Sequence, residues 1–171
     1  MVAPGRPAAR GPAVVGKTGR ITRLSSITRL SRKGMHAMRW SELVEQVRER
    51  GQYATGEEAE RITRTVLTAL GGHLTGPERA ELAHRLPREA AAALAGPIPP
   101  TLAPAASEFV DAVAARLGGA TSATARWDVS SVLGAVAEVA GDELLDRLLS
   151  RLPSGYGLLF GRAELLPAGH V

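Results

Sequence analysis

Residues 11–18 match the phosphate-binding loop pattern letter for letter. The segment Gly11-Pro-Ala-Val-Val-Gly16-Lys17-Thr18 follows G-x-x-x-x-G-K-[ST]. In that loop backbone N–H groups hold phosphates, the lysine reaches the β and γ oxygens, and the hydroxyl binds Mg²⁺. The loop works only between a buried strand and the first turn of a packed helix. The ten residues before it contain two prolines and two arginines, which is unlike a central strand. We interpret Gly11, Gly16, Lys17 and Thr18 as a chance match and predict no nucleotide cofactor.

Three glutamates, Glu57, Glu58 and Glu60, stand within four residues of one another. Grouped carboxylates can perform general acid–base chemistry or bind a metal. Acids in the first turn of a helix also complement the helix dipole. Glu57 and Glu60 each precede an arginine, Arg61 or Arg64, by four residues, which favours ion pairs on a solvated helix face. We therefore predict a stabilised helix start and no catalytic or metal site.

The histidines offer no metal-binding pattern. His73 and His84 are eleven residues apart, and neither belongs to a His-x-x-x-His or Glu-x-x-His pair. A metal site needs several converging ligands. The chain also has no cysteine, which excludes a disulfide scaffold, a thiol nucleophile and a cysteine-ligated cluster. We assign His73 and His84 to packing or solvent exposure, with no metal.

The charge of the chain is unevenly distributed. Its net charge of +4 and isoelectric point near 10.3 are typical of proteins that bind nucleic acid or anionic membranes. However, residues 1–39 hold nine basic side chains and no acid, whereas residues 40–171 hold 12 arginines and all 17 acids. The first segment carries +9 and the second −5. The length of 171 residues suits one domain of ordinary size.

Residues 1–37 are predicted to form a disordered basic extension, because they are rich in Gly, Pro, Ser, Thr and Arg and poor in large apolar groups. No stretch has the roughly 18 apolar residues of a transmembrane helix, so we expect no membrane partner. The pair Lys33-Gly34 implies purine-rich codons just upstream of Met38. Translation from Met38 or Met35 rather than Met1 is a further expectation, under which the extension is absent from the native protein.

The remainder of the chain contains an internal repeat. At an offset of 66, residues 40–94 align without a gap to residues 106–160. The matches include Ser41-Glu42 with Ser107-Glu108, Thr55 with Thr121, Ala59 with Ala125, Val66-Leu67 with Val132-Leu133, and Arg85-Leu86-Pro87 with Arg151-Leu152-Pro153. Two copies are too few for an open solenoid. We predict one compact domain over residues 38–160, a stiff proline-rich linker at 95–105, and a short tail at 161–171.

Each copy has the apolar spacing of three helices, so the predicted fold is all-α: two tandem three-helix repeats packed as one helical bundle. Thr55 with Glu58 and Thr75 with Glu78 are predicted capping boxes. Gly71-Gly72 should weaken the end of the second helix, and a short Ala-rich turn, Ala90 to Leu94, follows Pro87. The predicted core positions are Trp40, Leu43, Val44, Val47, Ala59, Ile62, Val66, Leu70, Leu74, Leu82 and Leu86 in copy one, and Phe109, Val110, Val113, Val132, Val136, Val139, Leu144, Leu145, Leu148, Leu149 and Leu152 in copy two.

Asp128 departs from the repeat pattern, because it occupies the position of the apolar Ile62. An unpaired buried carboxylate would cost several kcal/mol or shift its pKa upward. We expect the helix to roll so that Trp127 and Val129 make the apolar contacts, in which case Asp128→Ile is tolerated. A functional role for a buried Asp128 is the alternative.

Arg85 and Arg151 precede Leu-Pro in the two copies. Both could bind an anion, but an arginine in the last turn of a helix also bonds the final carbonyls of that helix. We predict the capping role for both.

The segment from Trp40 to Pro87 resembles a bacterial family called domain of unknown function 2267, which is common in actinobacteria. The resemblance rests on Glu57-Glu58-Ala59, Val66-Leu67, Leu74-Thr75, Glu78 and the Arg85-Leu86-Pro87 ending, and it covers roughly residues 38–160. Family members usually carry Gln before the Leu-Pro, where both copies here have Arg. The resemblance implies a helical cytoplasmic protein without assigned catalytic residues.

Three functions are compatible with these features. The first, which we favour, is a non-enzymatic helical interaction or structural module with a protein partner or with itself as partner. The second is a nucleic-acid-associated protein acting through the basic tail, if the tail is translated; its binding should fall steeply with salt. The third is a helical-bundle ligand-binding protein or enzyme with a site between the repeats.

Overall fold

The computed structural model describes residues 37–96 and 102–162. The phosphate-loop match at 11–18, nearly all of the predicted N-terminal extension, the middle of the linker and residues 163–171 lie outside these ranges. Within them the fold is entirely helical, which confirms the predicted all-α class. The eight helices are α1 (Trp40–Gly51), α2 (Gly56–Gly71), α3 (Pro77–Arg85), α4 (Arg88–Ala95), α5 (Ala106–Arg116), α6 (Ser122–Ala140), α7 (Asp142–Ser150) and α8 (Tyr156–Leu159).

One half of the capping box predicted for Thr55 and Glu58 forms at the start of α2, and Thr121 caps α6 in the same way. The hydroxyl of Thr55 accepts a hydrogen bond from the amide of Glu58 at 3.2 Å. The hydroxyl of Thr121 accepts one from the amide of Thr124, also at 3.2 Å. Each bond satisfies an amide that the helix itself leaves unpaired.

The start of α3 differs from the prediction. Gly76, with a φ of 79°, is the residue before α3, and it makes no side-chain cap. The predicted capping box of Thr75 and Glu78 is therefore wrong, since glycine adopts this left-handed conformation without strain and places the helix one residue later. Pro77 takes the first helical position, where its missing N–H costs no hydrogen bond. The Glu78 side chain is buried instead of capping.

The predicted Ala-rich turn is a complete helix, α4. Pro87 precedes α4 with a φ of −54°, so the proline that ends α3 also starts the next helix. Helix α2 ends at Gly71, and a Cβ at that position would overlap the carbonyl oxygen of Leu94 in α4. The glycine that weakens α2 thus allows α4 to lie directly against its end.

One core runs through both sequence halves. Helices α1 and α2 of the first half pack on α6, and α2 also packs on α5. Helix α3 contacts α7, and α8 contacts α6. Almost all predicted core positions are buried; Trp40, Val139 and Leu149 are partly buried and pack against the core. Phe109 and Tyr156 are the largest fully buried side chains, and their rings lie 5.6 Å apart.

Candidate functional site

Asp128 is buried at the junction between α6 and the loop that connects α1 to α2. Only 5% of its surface is exposed, and its carboxylate accepts a 2.6 Å hydrogen bond from the hydroxyl of Tyr53, itself 9% exposed. The predicted helix roll is therefore wrong for this residue. Val129 is buried as expected, but Trp127 is 54% exposed. The tyrosine hydroxyl provides the polar partner that lets the carboxyl remain out of water.

The electrostatic environment of Asp128 favours its neutral form. Burial raises the pKa of the Asp128 carboxyl, and the negative charge of Glu58 adds to that effect. The hydrogen bond from Tyr53 and the positive charge of Arg61 lower the pKa, but by less. Burial, together with the bond to Asp128, also raises the pKa of the Tyr53 phenol. The pair can therefore hold a proton at a pH where an exposed aspartate would release it.

Trp127 fixes the other side of the same junction. Its indole N–H donates a 3.1 Å hydrogen bond to the carbonyl of Gly51, the last residue of α1. Gly51 is needed there, because a Cβ would overlap the ring of Tyr53. Adjacent residues of α6, Trp127 and Asp128, thus each bind the end of α1 or its following loop.

A second polar group joins α3 to α7. Glu81 accepts hydrogen bonds from Arg85 at 2.8 Å and from Arg147 at 2.7 Å. Arg85 also donates to the carbonyl of Ala140, the last residue of α6. The Nε atom of Arg151 lies 2.9 Å from Oε2 of Glu78, whose side chain is 8% exposed.

These contacts correct the prediction for the two arginines. Arg85 binds a helix-terminal carbonyl, but that carbonyl belongs to α6 rather than to its own helix. Arg151 reaches a buried carboxylate near the start of α3. Both side chains are long enough to cross between packed helices, where a carbonyl or carboxylate in partial burial binds a guanidinium more strongly than an exposed one does.

The glutamate cluster lies at the start of α2, and Glu60 makes the predicted ion pair with Arg64. Glu60 accepts a 2.8 Å hydrogen bond from Arg64, which follows it by four residues as predicted. It also accepts a 3.2 Å hydrogen bond from the indole N–H of Trp40. The Arg64 guanidinium lies 4.9 Å from the centre of the Trp40 ring. These partners hold the pKa of Glu60 below its ordinary value. Glu57 and Glu58 lie in the first turn of α2.

The two histidines lie in different environments. His73 is partly buried, with its ring edge-on to Phe109 at 5.4 Å, and burial together with the nearby Arg116 lowers its pKa. His84 is exposed. Within residues 37–96 and 102–162, no three His, Asp or Glu side chains come together in a way that could hold a metal ion.

A shallow groove of about 320 Å³ lies on the surface where α1, α6, α7 and the end of α8 meet. We call it the α6 groove. Its lining residues are Arg50, Ser130, Gly134, Ala137, Glu138, Asp142, Leu145, Phe160, Gly161 and Arg162. Ion pairs of Arg50 with Glu138 and of Arg162 with Asp142 form part of its walls.

Sequence reasoning missed the Tyr53–Asp128 pair, whose members are 75 residues apart. A signal was present in the repeat alignment. Tyr53 aligns with Gly119 and Asp128 aligns with Ile62, so both members of the pair depart from their repeat counterparts. Two polar residues that both depart from the repeat, one with a hydroxyl and one with a carboxylate, could have been predicted to bind each other.

Over the residues that the structure describes the fold is helical, and the buried side chains of Asp128 and Glu78 bind polar groups of other elements. The chain belongs to the family described as uncharacterized conserved protein (DUF2267), whose model matches residues 40–159. This match confirms the predicted family. Comparison with curated proteins gives no match. None of the helices in the described part of the chain is long and apolar enough to cross a membrane.

Proposed function

We propose that this chain is a non-enzymatic helical interaction module of the bacterial, specifically actinobacterial, cytoplasm. The observation that carries the proposal is how the polar side chains near the core are used. Hydrogen bonds join Tyr53 to Asp128 and Glu81 to Arg147, and an ion pair joins Glu78 to Arg151, in each case between different elements of the fold. Groups that bind one another in this way hold separate elements of the fold together, which is a structural use of polar side chains.

We also propose that the module arose from two tandem repeats packed about a pseudo-twofold axis. The contacts between halves support this, because they are reciprocal: α1 packs on α6, and its repeat counterpart α5 packs on α2. Glu81 and Arg147 occupy equivalent repeat positions and bind each other, as residues on an axis would. Arg85 approaches Gly141 before α7, and Arg151 approaches Gly76 before α3.

The surface provides the second support for an interaction role. Trp127 is a large aromatic side chain that is more than half exposed yet bonded in place. Tryptophan is enriched among the few residues that dominate the binding energy of protein interfaces. An ordered exposed indole therefore favours a protein partner over a small-molecule ligand.

Native mass spectrometry on protein purified from its own cells tests the proposal. We expect a complex of defined stoichiometry, either an oligomer of this chain or a complex with another protein. A monomer that retains a bound metabolite would contradict the interaction role and support a ligand-binding protein or enzyme. The same spectrum reports whether the mature chain begins at Met1, Met35 or Met38.

A further inference from the structure

Two hydrogen bonds from neighbouring residues of α6 hold the chain where α1 ends. The indole of Trp127 donates to the carbonyl of Gly51 at 3.1 Å, and the carboxylate of Asp128 accepts from the hydroxyl of Tyr53 at 2.6 Å. The two positions that are held lie on either side of Gln52. We call Gly51, Gln52 and Tyr53 the clip.

The clip holds a backbone conformation that its own sequence does not favour. Gln52 has a φ of 55°, and within the part of the chain that the structure describes it is the only residue other than glycine with a positive φ. A side chain in this left-handed region crowds the backbone, so glycine is the usual residue after a helix that ends in this way. Such a strained residue persists only where its surroundings hold it, and residues of this kind are concentrated in switch regions. The two hydrogen bonds on either side of Gln52 supply that restraint.

The two held positions of the clip depend on each other. The ring of Tyr53 lies against Gly51 so closely that a Cβ at position 51 would overlap it. The backbone N–H of Tyr53 donates to the carbonyl of Arg48 at 3.0 Å, which closes the end of α1. If the Tyr53 side chain leaves Asp128, the support of Gly51 is therefore lost as well.

Asp128 is the titrating group of this junction. Within the described residues, the titratable or charged groups that act on it are Tyr53 from the clip and Glu58 and Arg61 from α2. Burial raises the pKa of the Asp128 carboxyl and Glu58 adds to this effect, whereas Tyr53 and Arg61 lower the pKa by less. Burial also raises the pKa of the Tyr53 phenol above its ordinary value of 10.0, so the phenol keeps its proton when Asp128 ionises. The closed clip thus favours the protonated carboxyl.

We propose that the clip is a proton-operated latch, which is closed on α6 while Asp128 is protonated and opens when Asp128 ionises, releasing Gly51 from the Trp127 indole. A carboxylate kept away from water is poorly solvated, and opening of the clip hydrates it. Opening also releases the strain at Gln52, which lowers the cost of the open state. The latch is a property of the chain alone and goes beyond the proposed function, although it also gives the exposed Trp127 surface a dependence on pH.

Hydrogen exchange of the full chain from pH 4 to pH 8 tests the latch. The amide of Tyr53 should exchange when the clip opens, because its bond to Arg48 is then broken. We expect its protection, measured relative to an unfolded peptide, to fall by up to about tenfold per pH unit as Asp128 ionises. In Asp128→Asn the protection should not change with pH, whereas the exposed control Asp111→Asn should retain the pH dependence.

Low concentrations of urea distinguish opening of the clip from unfolding of the domain. Unfolding exposes a large surface and depends steeply on urea, whereas opening of the clip exposes little. The protection of the Tyr53 amide should therefore change little with urea, while that of Val132, a buried position in α6, should fall. If both amides show the same dependence on urea, the clip opens only when the whole domain unfolds, and the latch is overturned.

The fluorescence of Trp127 reports on the other held position. Trp40→Phe leaves Trp127 as the single tryptophan, since the chain has two. Its emission should change over the same pH range as the protection of the Tyr53 amide, and Asp128→Asn should abolish the change. An emission that stays constant while the Tyr53 amide loses protection would overturn the latch, because the two hydrogen bonds would then be independent.

Two substitutions within the clip should move its equilibrium in opposite directions. Gly51→Ala places a Cβ against the Tyr53 ring and should open the clip at every pH. Gln52→Gly removes the strain of the closed clip and should raise the protection of the Tyr53 amide severalfold at every pH. Circular dichroism checks that each variant is folded. A pH dependence that persists in Asp128→Asn overturns the latch and leaves the proposed function to be decided by the native complex.

Discussion

Asp128 is a carboxyl group whose ionisation is opposed by its surroundings. It is buried, its pKa is raised mainly by that burial, and its bond to Tyr53 offsets the effect only in part. The repeat counterpart Ile62 is also buried, so the same place in the fold accepts an apolar side chain. The polar pair therefore adds a dependence on pH that the repeated architecture does not require.

We predict that the native protein loses stability as pH rises and that Asp128→Asn does not show this loss. The folded-state pKa of Asp128 is raised above its ordinary value near 3.8. The protonated carboxyl therefore contributes its full stabilisation below pH 3.8, and this stabilisation is lost as the pH rises through the folded-state pKa. Within that window the free energy of unfolding should fall by up to about 1.4 kcal/mol per pH unit relative to the variant. Urea unfolding of both proteins from pH 4 to pH 8 measures the difference.

Asp111→Asn is the matched control for this titration. Asp111 is exposed and accepts a 3.1 Å bond from Ser122. Its replacement should leave the pH dependence of unfolding as it is in the native protein. The stability of Asp128→Asn relative to the native protein should increase as pH rises. A relative stability that stays constant or decreases would contradict a raised pKa of Asp128.

At the scale of single helices, Gly71 allows α4 to approach the end of α2 closely. This last residue of α2 faces the carbonyl oxygen of Leu94 in α4, which also accepts a 2.5 Å bond from Arg79 in α3. Three helices thus meet at one carbonyl group. Any side chain at Gly71 displaces α4 and weakens the bond from Arg79.

Gly71→Ala should destabilise the protein by about 1–3 kcal/mol, the usual cost of forcing an extra carbon into a packed site. Gly56→Ala, at the first position of the same helix, is the control, because a Cβ there meets nothing within 4 Å. We expect that variant to be neutral or slightly stabilising. Chemical denaturation of both variants checks the contrast, and equal effects would show that the α2–α4 contact is not tight.

The apolar spacing predicted which faces of α1 and α2 are buried, because that pattern depends only on residues within a few turns. It failed at the start of α6, where Asp128 is buried and Trp127 is exposed. Thr55 was predictable, because its cap also depends only on nearby residues. Thr75 was not, because Gly76 takes the position before α3 with a positive φ, which apolar spacing does not encode. Contacts between distant segments, such as Tyr53 with Asp128, leave no local periodicity in the sequence, so apolar spacing could not predict them.

At the scale of the whole molecule, the arginines that precede Leu-Pro join the two halves of the domain. Arg85 reaches from α3 to the end of α6, and Arg151 reaches from the end of α7 to Glu78 in α3. The two ends of the second bond differ in environment: the side chain of Glu78 is 8% exposed, whereas that of Arg151 is 52% exposed. Removing one partner should therefore have a different cost from removing the other.

Arg151→Ala should destabilise the protein by about 1–3 kcal/mol, because it leaves the buried Glu78 carboxylate without its cationic partner. Glu78→Gln should cost less, since the exposed arginine can turn to water and the buried group is then neutral. The double variant should consequently be more stable than Arg151→Ala alone. Arg162→Ala is the control: its partners Asp142 and Asp146 are 95% and 66% exposed, so its loss should cost no more than about 1 kcal/mol. Urea unfolding of the four variants measures these differences; failure of Glu78→Gln to rescue Arg151→Ala would mean that the buried carboxylate is not what Arg151 stabilises.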